Sequence, residues 1–444
     1  MSLLIRDATV VTVNPAREIF HNVSITIEQD RITSIGPESQ LPQKEYDEIV
    51  DARGFVLIPG FIQTHIHLCQ TLFRGLADDL ELLDWLCTKI FPFEAAHSER
   101  SMYYSALLGI SELFSSGTTT ILDMGSIHHE AEVIRAIGET GLRAFVGKAM
   151  MDINDLFPLL RESTAEAITS TRQLAEQWHN SFGGRIKYAV APRFVLSCSD
   201  TLLHEAHAML EQFPGMLFHT HASENRSEIQ QVRERSGLEN IEFLNHLGLL
   251  SNRSCLAHCV HLNDTEIDIL HRTGANVAHC PSSNLKLGSG IARIPTYQQC
   301  NINVSLGADG APCNNNLDMF QEMRLASLLQ KPFYGPTAMP AQTVFEMATI
   351  HGAKALGLQH DIGSVEVGKK ADLVMLDLHR TPHPVDLSGN LYSAIVYSGS
   401  PADVHSVMID GKWVYRNRSL VHIDENKVRH DAEIELHALY NRIG

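Results

Sequence analysis

Between residues 59 and 355, eight short apolar runs alternate with longer amphipathic segments: GFIQTHIH, TTTILDMG, LRAFVGKAM, IKYAVAP, MLFHTHA, SCLAHC, ANVAHC and INVSLGADG. Runs this short and this apolar read as strands buried on both faces, the texture of a parallel sheet covered by crossover helices. SERSMYYSALLGISELFSSG, ending at Gly117 as a helix C-terminus does, supplies one such crossover. Eight repeats of strand and helix predict an α/β fold, a (β/α)8 TIM-type barrel. Reactive groups are then expected at the C-terminal ends of the strands, where barrel enzymes carry them.

Both ends of the chain have a different texture. LLIRDATVVTV and SITIEQDRITSIG read as strands, the second folding into a hairpin at Gln29-Asp30. GSVEVGKKADLVMLDL and DVHSVMIDGKWVYRN repeat the pattern, and Asp410-Gly411 is a type I′ hairpin signal. The expected organisation is a small β-sandwich domain assembled from residues 1–58 and 360–422, a catalytic barrel over 59–359, and a C-terminal helix over 423–444.

Composition narrows the partners. The 444 residues are 44% hydrophobic and 20% charged, as in ordinary globular proteins. The 52 acidic residues against 35 basic ones give a net charge of -17, which repels phosphate backbones and anionic lipid heads. Neither nucleic acid nor a membrane surface is an expected partner. No apolar run reaches bilayer length, and Arg6 and Asp7 interrupt the N-terminal one, so no signal peptide is read. Eight scattered cysteines without a CxxC pair suggest reduced thiols and a cytoplasmic location.

The strand ends carry the chemistry. His65 and His67 stand at i and i+2 and project to one face, a natural pair of metal ligands. MLFHTHASE adds His221 and, three residues on, Glu224; SCLAHC adds His258; INVSLGADG closes on Asp309. Imidazoles and a carboxylate on separate strands suit an open catalytic metal site, in which one position is kept for water. His219 shares the face of His221 and is expected to be a core residue in the layer beneath. His261 and His279 are expected to be hydrogen-bonded structural residues. His97-Ser98-Glu99 and His128-His129-Glu130 match half of a different zinc-deaminase signature, whose PCxxC half is missing after Pro312-Cys313.

PGFIQTHIH, the HASE and AHC segments and LGADGAPCNNNLD together resemble the metal-dependent amidohydrolase superfamily along essentially the whole chain. The likeness is strongest to its aminohydrolase branch, which holds deaminases of 5′-modified adenosines, guanine deaminase and triazine hydrolases. The resemblance implies one Zn²⁺ or Fe²⁺ per chain, held by His65, His67, His221 and Asp309, with Glu224, His258 and Asp309 moving protons. Members with two metals bridge them by a carboxylated lysine ending strand four. Here that strand ends at Arg193, and Lys187 lies at its other end, so one metal is expected.

The implied activity is hydrolytic removal of an exocyclic amine, as ammonia, from an aminopurine. The substrate is open at this stage. SSNLKLGSGIARIP, NNNLDMFQEMRLASLLQK, Trp85 and the FPFE segment ending at Glu94 are similar to deaminases of 5′-modified adenosines, in which that glutamate holds the ribose hydroxyls. Gln70, Arg193-Phe194 and the HASEN run are instead similar to guanine deaminase. Arg193 could donate to guanine's carbonyl, reach a nucleoside oxygen, or simply pair with a nearby carboxylate. The matched stretches tip the reading towards 5′-deoxyadenosine, methylthioadenosine or S-adenosylhomocysteine, with guanine second and a triazine or pterin third. A triazine chlorohydrolase would not need Glu224, because chloride leaves without a proton. A non-catalytic scaffold is disfavoured by the complete ligand set. A homodimer or higher homo-oligomer is expected by analogy alone.

Overall fold

In the computed structural model, which describes residues 2–155, 157–380 and 389–443, all eight predicted strands are present. In chain order they are Phe61–His67, Thr118–Met124, Arg143–Gly147, Ile186–Pro192, Leu217–Ala222, Ser254–His258, Asn276–His279 and Val304–Leu306, the last continued by Asp309–Gly310. Every pairing between them is parallel, and the interrupted eighth strand closes the ring. Val304 pairs with Val277 of strand seven, while Asp309 and Gly310 pair with Ile66 and His67 of strand one.

Ile62, Leu122, Phe145, Ala189, Leu217, Cys255 and Ala278, one from each of the first seven strands, fill the lower barrel and pack against the helix Ile350–Ala355. Gly352 lets that helix approach, since a Cβ there would lie 2.9 Å from the Ile62 side chain. With the N-terminal mouth plugged in this way, the strand ends at the other mouth are left to build a site. Of the outer helices, Glu99–Ser115 is the one ending before Gly117, and it starts from a Ser98–Ser101 capping box. The C-terminal helix Glu425–Ile443 lies against it through Arg100, which bonds to Asp431 and Glu435.

The β-rich ends form one nine-stranded sheet. It joins where Val56–Pro59, from the N-terminal part, runs antiparallel to Leu373–Leu376 from the C-terminal part. The two predicted turns meet face to face. Gly411, at φ +71°, stands where a Cβ would come within 2.2 Å of the Gln29 carbonyl oxygen. Residues 381–388 of the expected β domain lie outside the described residues.

Arg143, at the start of strand three, fastens this sheet to the barrel. Its Nε and Nη2 donate to the two Asp372 oxygens at 2.7 and 3.0 Å, and Nη2 also meets Asp410. Both Arg143 and Asp372 are buried, so truncating the arginine strands carboxylates away from water. R143M is expected to destabilise the chain by about 3–5 kcal/mol, the usual cost of breaking a buried pair from one side. Denaturant unfolding checks this, and a midpoint equal to the parent's would show the seam to be dispensable.

Candidate active site

His65, His67, His221, His258 and Asp309 converge at the C-terminal mouth, all but His221 nearly inaccessible to solvent. Strand one has a register irregularity between Gln63 and Ile66, and both of its site histidines follow or fall within it. Ser223, His258, Cys259 and Asp309 all adopt positive φ, between 48° and 73°. Each such non-glycine residue costs on the order of 1–3 kcal/mol, and their clustering at one mouth is typical of a functional site.

Hydrogen bonds decide which nitrogen of each ring faces inward. His67 Nδ1–H donates to the Met124 carbonyl at 2.6 Å, and His221 Nδ1–H to the Arg193 carbonyl at 2.7 Å. His219 Nδ1–H donates to the Cys255 carbonyl, which leaves its Nε2 to accept from His65 Nδ1–H at 2.9 Å. A carbonyl can only accept, so each bond fixes a tautomer, and His65, His67 and His221 all present Nε2 with its lone pair. Burial holds the His65 pKa down at about 4 and that of His221 well below its ordinary value, so both rings are neutral.

The donor set fits a metal ion. His65 Nε2 is buried without a hydrogen-bond partner, and His65, His221, His258 and Asp309 offer ligand atoms all within 4.8 Å of one another. His67 joins them through Asp309, whose Oδ1 lies 3.2 Å from both His65 Nε2 and His67 Nε2. Bonds of about 2.0–2.2 Å in a tetrahedron put neighbouring ligand atoms roughly 3.3–3.6 Å apart, which the two 3.2 Å spacings from Asp309 Oδ1 approach.

His258 is set apart from the other rings. Its Nδ1–H donates to Asn284 Oδ1 at 2.9 Å, and Nε2 faces Glu224 Oε2 at 3.5 Å and Asp309 Oδ2 at 3.7 Å. Burial alone would lower its pKa, but the two carboxylates outweigh burial and raise it. Asp309 Oδ2 also accepts from Ser283 Oγ at 2.6 Å. Glu224 is buried, and that desolvation, opposed by His258 and reinforced by Asp309 and Glu228, pushes its pKa up to about 7.

The pocket above this cluster is lined by Gln70, Leu82, Trp85, Leu86, Arg193, Phe194 and Leu287. Of the substrate-binding residues named from sequence, only Glu94 stays behind the wall. Its carboxylate accepts from Arg193 Nη1 at 2.7 Å, Arg193 Nη2 at 3.0 Å and Gln70 Nε2 at 2.8 Å. Of the roles left open for Arg193, pairing with a carboxylate is the one observed. His219 is a core residue as expected, although it also orients His65. His261 bonds to the Ser289 carbonyl. His279 departs from expectation: neither of its ring nitrogens has a partner among the described residues. Ser283, Asn284 and Ser289, within SSNLKLGSG, were legible only as part of a resemblance. Glu228, which accepts the Glu224 backbone N–H, gave no signal beyond its helical spacing from Glu224. Lys187 opens onto the far mouth of the barrel, beside Gly215 and Asn252, and cannot serve as a bridge between metals.

A family model described as the Amidohydrolase family matches residues 56–414. The chain belongs to the amidohydrolase family. A 5′-deoxyadenosine deaminase of Methanothermobacter thermautotrophicus is 42% identical over 92% of this chain and 93% of its own length. A 5-methylthioadenosine/S-adenosylhomocysteine deaminase of Syntrophomonas wolfei is 38% identical over 96% and 97%. The solved adenosine deaminase of Xanthomonas campestris, crystallised with bound zinc, superposes with a TM-score of 0.90 at 30% identity, covering 99% of this chain and 98% of its own. This amidohydrolase is therefore a hydrolase of C–N bonds with a barrel and a terminal β domain in common with its relatives. No described helix is long and apolar enough to cross a membrane.

Proposed function

We propose that the protein is a purine deaminase using a single metal ion, acting on 5′-modified adenosines such as 5′-deoxyadenosine or methylthioadenosine. The observation that carries this reading is Glu224: a buried carboxyl that keeps its proton near pH 7, aimed at the mouth of the ligand cluster. An amine needs a proton as it departs and chloride does not, so a donor that can serve the leaving group as well as the ring nitrogen suits deamination. The names borne by the relatives at 42% and 38% identity support adenosine over guanine as the base.

His65, His67 and His221 through Nε2, with Asp309 through Oδ1, would hold the ion. When bound, it supplies a Lewis acid that brings the pKa of water from 15.7 to about 7. Glu224 donates its proton to the ring nitrogen beside the amine-bearing carbon, which makes that carbon electrophilic. Asp309 Oδ2 and His258 Nε2 accept the proton of the attacking water. The proton taken from water moves through His258, 3.5 Å from Glu224, to the ionised Glu224, which passes it to the amine. The C–N bond breaks, the remaining hydroxyl proton returns to Glu224 by the same route, and a lactam and ammonia leave. Trp85, Phe194, Leu82, Leu86 and Leu287 bury the heterocycle, keeping bulk water from competing for these transfers. Zinc is the proposed ion, supported by the zinc in the Xanthomonas campestris relative, with iron as the other metal the donor set accepts.

An ammonia-release assay on 5′-deoxyadenosine, methylthioadenosine, S-adenosylhomocysteine, adenosine, guanine and a chlorotriazine tests the proposal. The expected result is one ammonia per inosine-type product, with an adenosine derivative leading in kcat/KM. Guanine ahead by tenfold or more would overturn the adenosine assignment.

The pH profile gives a further expectation. Glu224 is an acid with a raised pKa, so it is protonated below about 7 and loses its proton above. kcat/KM should therefore fall on the alkaline side with a midpoint near 7. A flat profile from pH 6 to 9 would remove Glu224 as the donor.

A further inference from the structure

Glu94 sits on the short helix Phe91–Ala95, is 1% exposed, and has both carboxylate oxygens engaged. Arg193 grips it end-on through both Nη atoms, and Gln70 adds a third bond from Nε2. Burial alone would raise the Glu94 pKa, yet the Arg193 charge and these bonds hold it below the usual carboxylate range. The guanidinium also lies over the Phe91 ring, 5.2 Å from its centroid. Arg193 and Gln70 line the pocket, and Glu94 does not. With its Nε2 committed to Glu94, Gln70 keeps an amide oxygen that is buried and has no partner among the described residues. That oxygen lies against Gly310, directly after Asp309. Arg193 keeps its Nε–H and the second hydrogen of each Nη, since two of its five donors point at Glu94.

We infer that Glu94 is a positioning residue that locks Arg193 and Gln70 into one wall reading the edge of the heterocycle, and that it does not hold ribose hydroxyls. A carboxylate buried behind Arg193 and Gln70, with both oxygens turned to them, has no route to a sugar. Selectivity then lies at the base, and purine nucleosides with or without 2′- and 3′-hydroxyls are accepted alike. This inference rests on the purine-deaminase reading.

The unaltered enzyme gives the first test, by kcat/KM on adenosine, 2′-deoxyadenosine and 3′-deoxyadenosine. A site built to bond a hydroxyl rejects the analogue lacking it by about 10⁴–10⁵-fold. The expected spread among the three is under tenfold; a loss of tenfold or more on removing either hydroxyl overturns the inference. E94Q gives the second. It should raise KM tenfold or more for all three nucleosides with kcat within threefold, because substrate and transition state lose the same wall. A loss tenfold or more larger on adenosine than on the two deoxynucleosides, or one falling on kcat alone, contradicts the positioning role. Absence of ammonia from every purine would instead sink the underlying deaminase reading, which the same assay separates.

Discussion

Glu224→Gln should lower kcat by about 10²–10⁴-fold, the usual worth of general acid–base catalysis, while leaving metal content and fold unchanged. Glutamine keeps the volume and can still accept from Ser289, which lies 3.4 Å from Glu224 Oε1. What it loses is the ability to give up a proton and take one back. His258, 3.5 Å away, cannot substitute, because it is needed as an acceptor while Glu224 is donating. Steady-state ammonia release on matched preparations checks this. Activity within a few-fold of the parent would show that the amine leaves without the Glu224 proton.

Replacing His65 or Asp309 by alanine should abolish both metal retention and activity. Asp309 stands at the centre of the cluster, its Oδ1 between two imidazoles and its Oδ2 between Ser283 and His258. Without it, three or four imidazoles face one another with no anion to balance a divalent cation. His65 is fully buried and tied through His219 to the Cys255 carbonyl, so alanine there also leaves the His219 lone pair without its donor. Metal analysis beside the activity assay reads both consequences. A His65→Ala protein that keeps its metal and its turnover would remove His65 from the ligand set.

The barrel was legible because each strand is a short apolar run, and a both-sides-buried strand has few other ways to look. The ligand cluster was legible for a related reason: His65, His221, His258 and Asp309 interrupt apolar runs at the same end of each strand, where packing gives no reason for polarity. The wall of the pocket was not. Whether Arg193 meets a substrate or a carboxylate depends on which of 52 acidic residues the fold brings to it, and Glu94 is 99 residues away. The tautomers were equally hidden, since they are set by carbonyls at Met124, Arg193 and Cys255 that any residue could supply. Asn284 and Ser283 share that character: their roles follow from the helix Pro281–Lys286 facing His258 and Asp309 across the barrel mouth.

The central claim is that one metal ion, held by residues of strands one, five and eight, is sufficient for turnover. Stripping the purified protein with a chelator and titrating zinc or ferrous iron back, with ammonia release followed at each addition, tests it most directly. Activity should rise linearly and break at one equivalent per chain, because Arg193 is committed to Glu94 and Lys187 opens at the opposite mouth. A rise that continues to two equivalents, or turnover that survives complete removal of metal, would contradict the account.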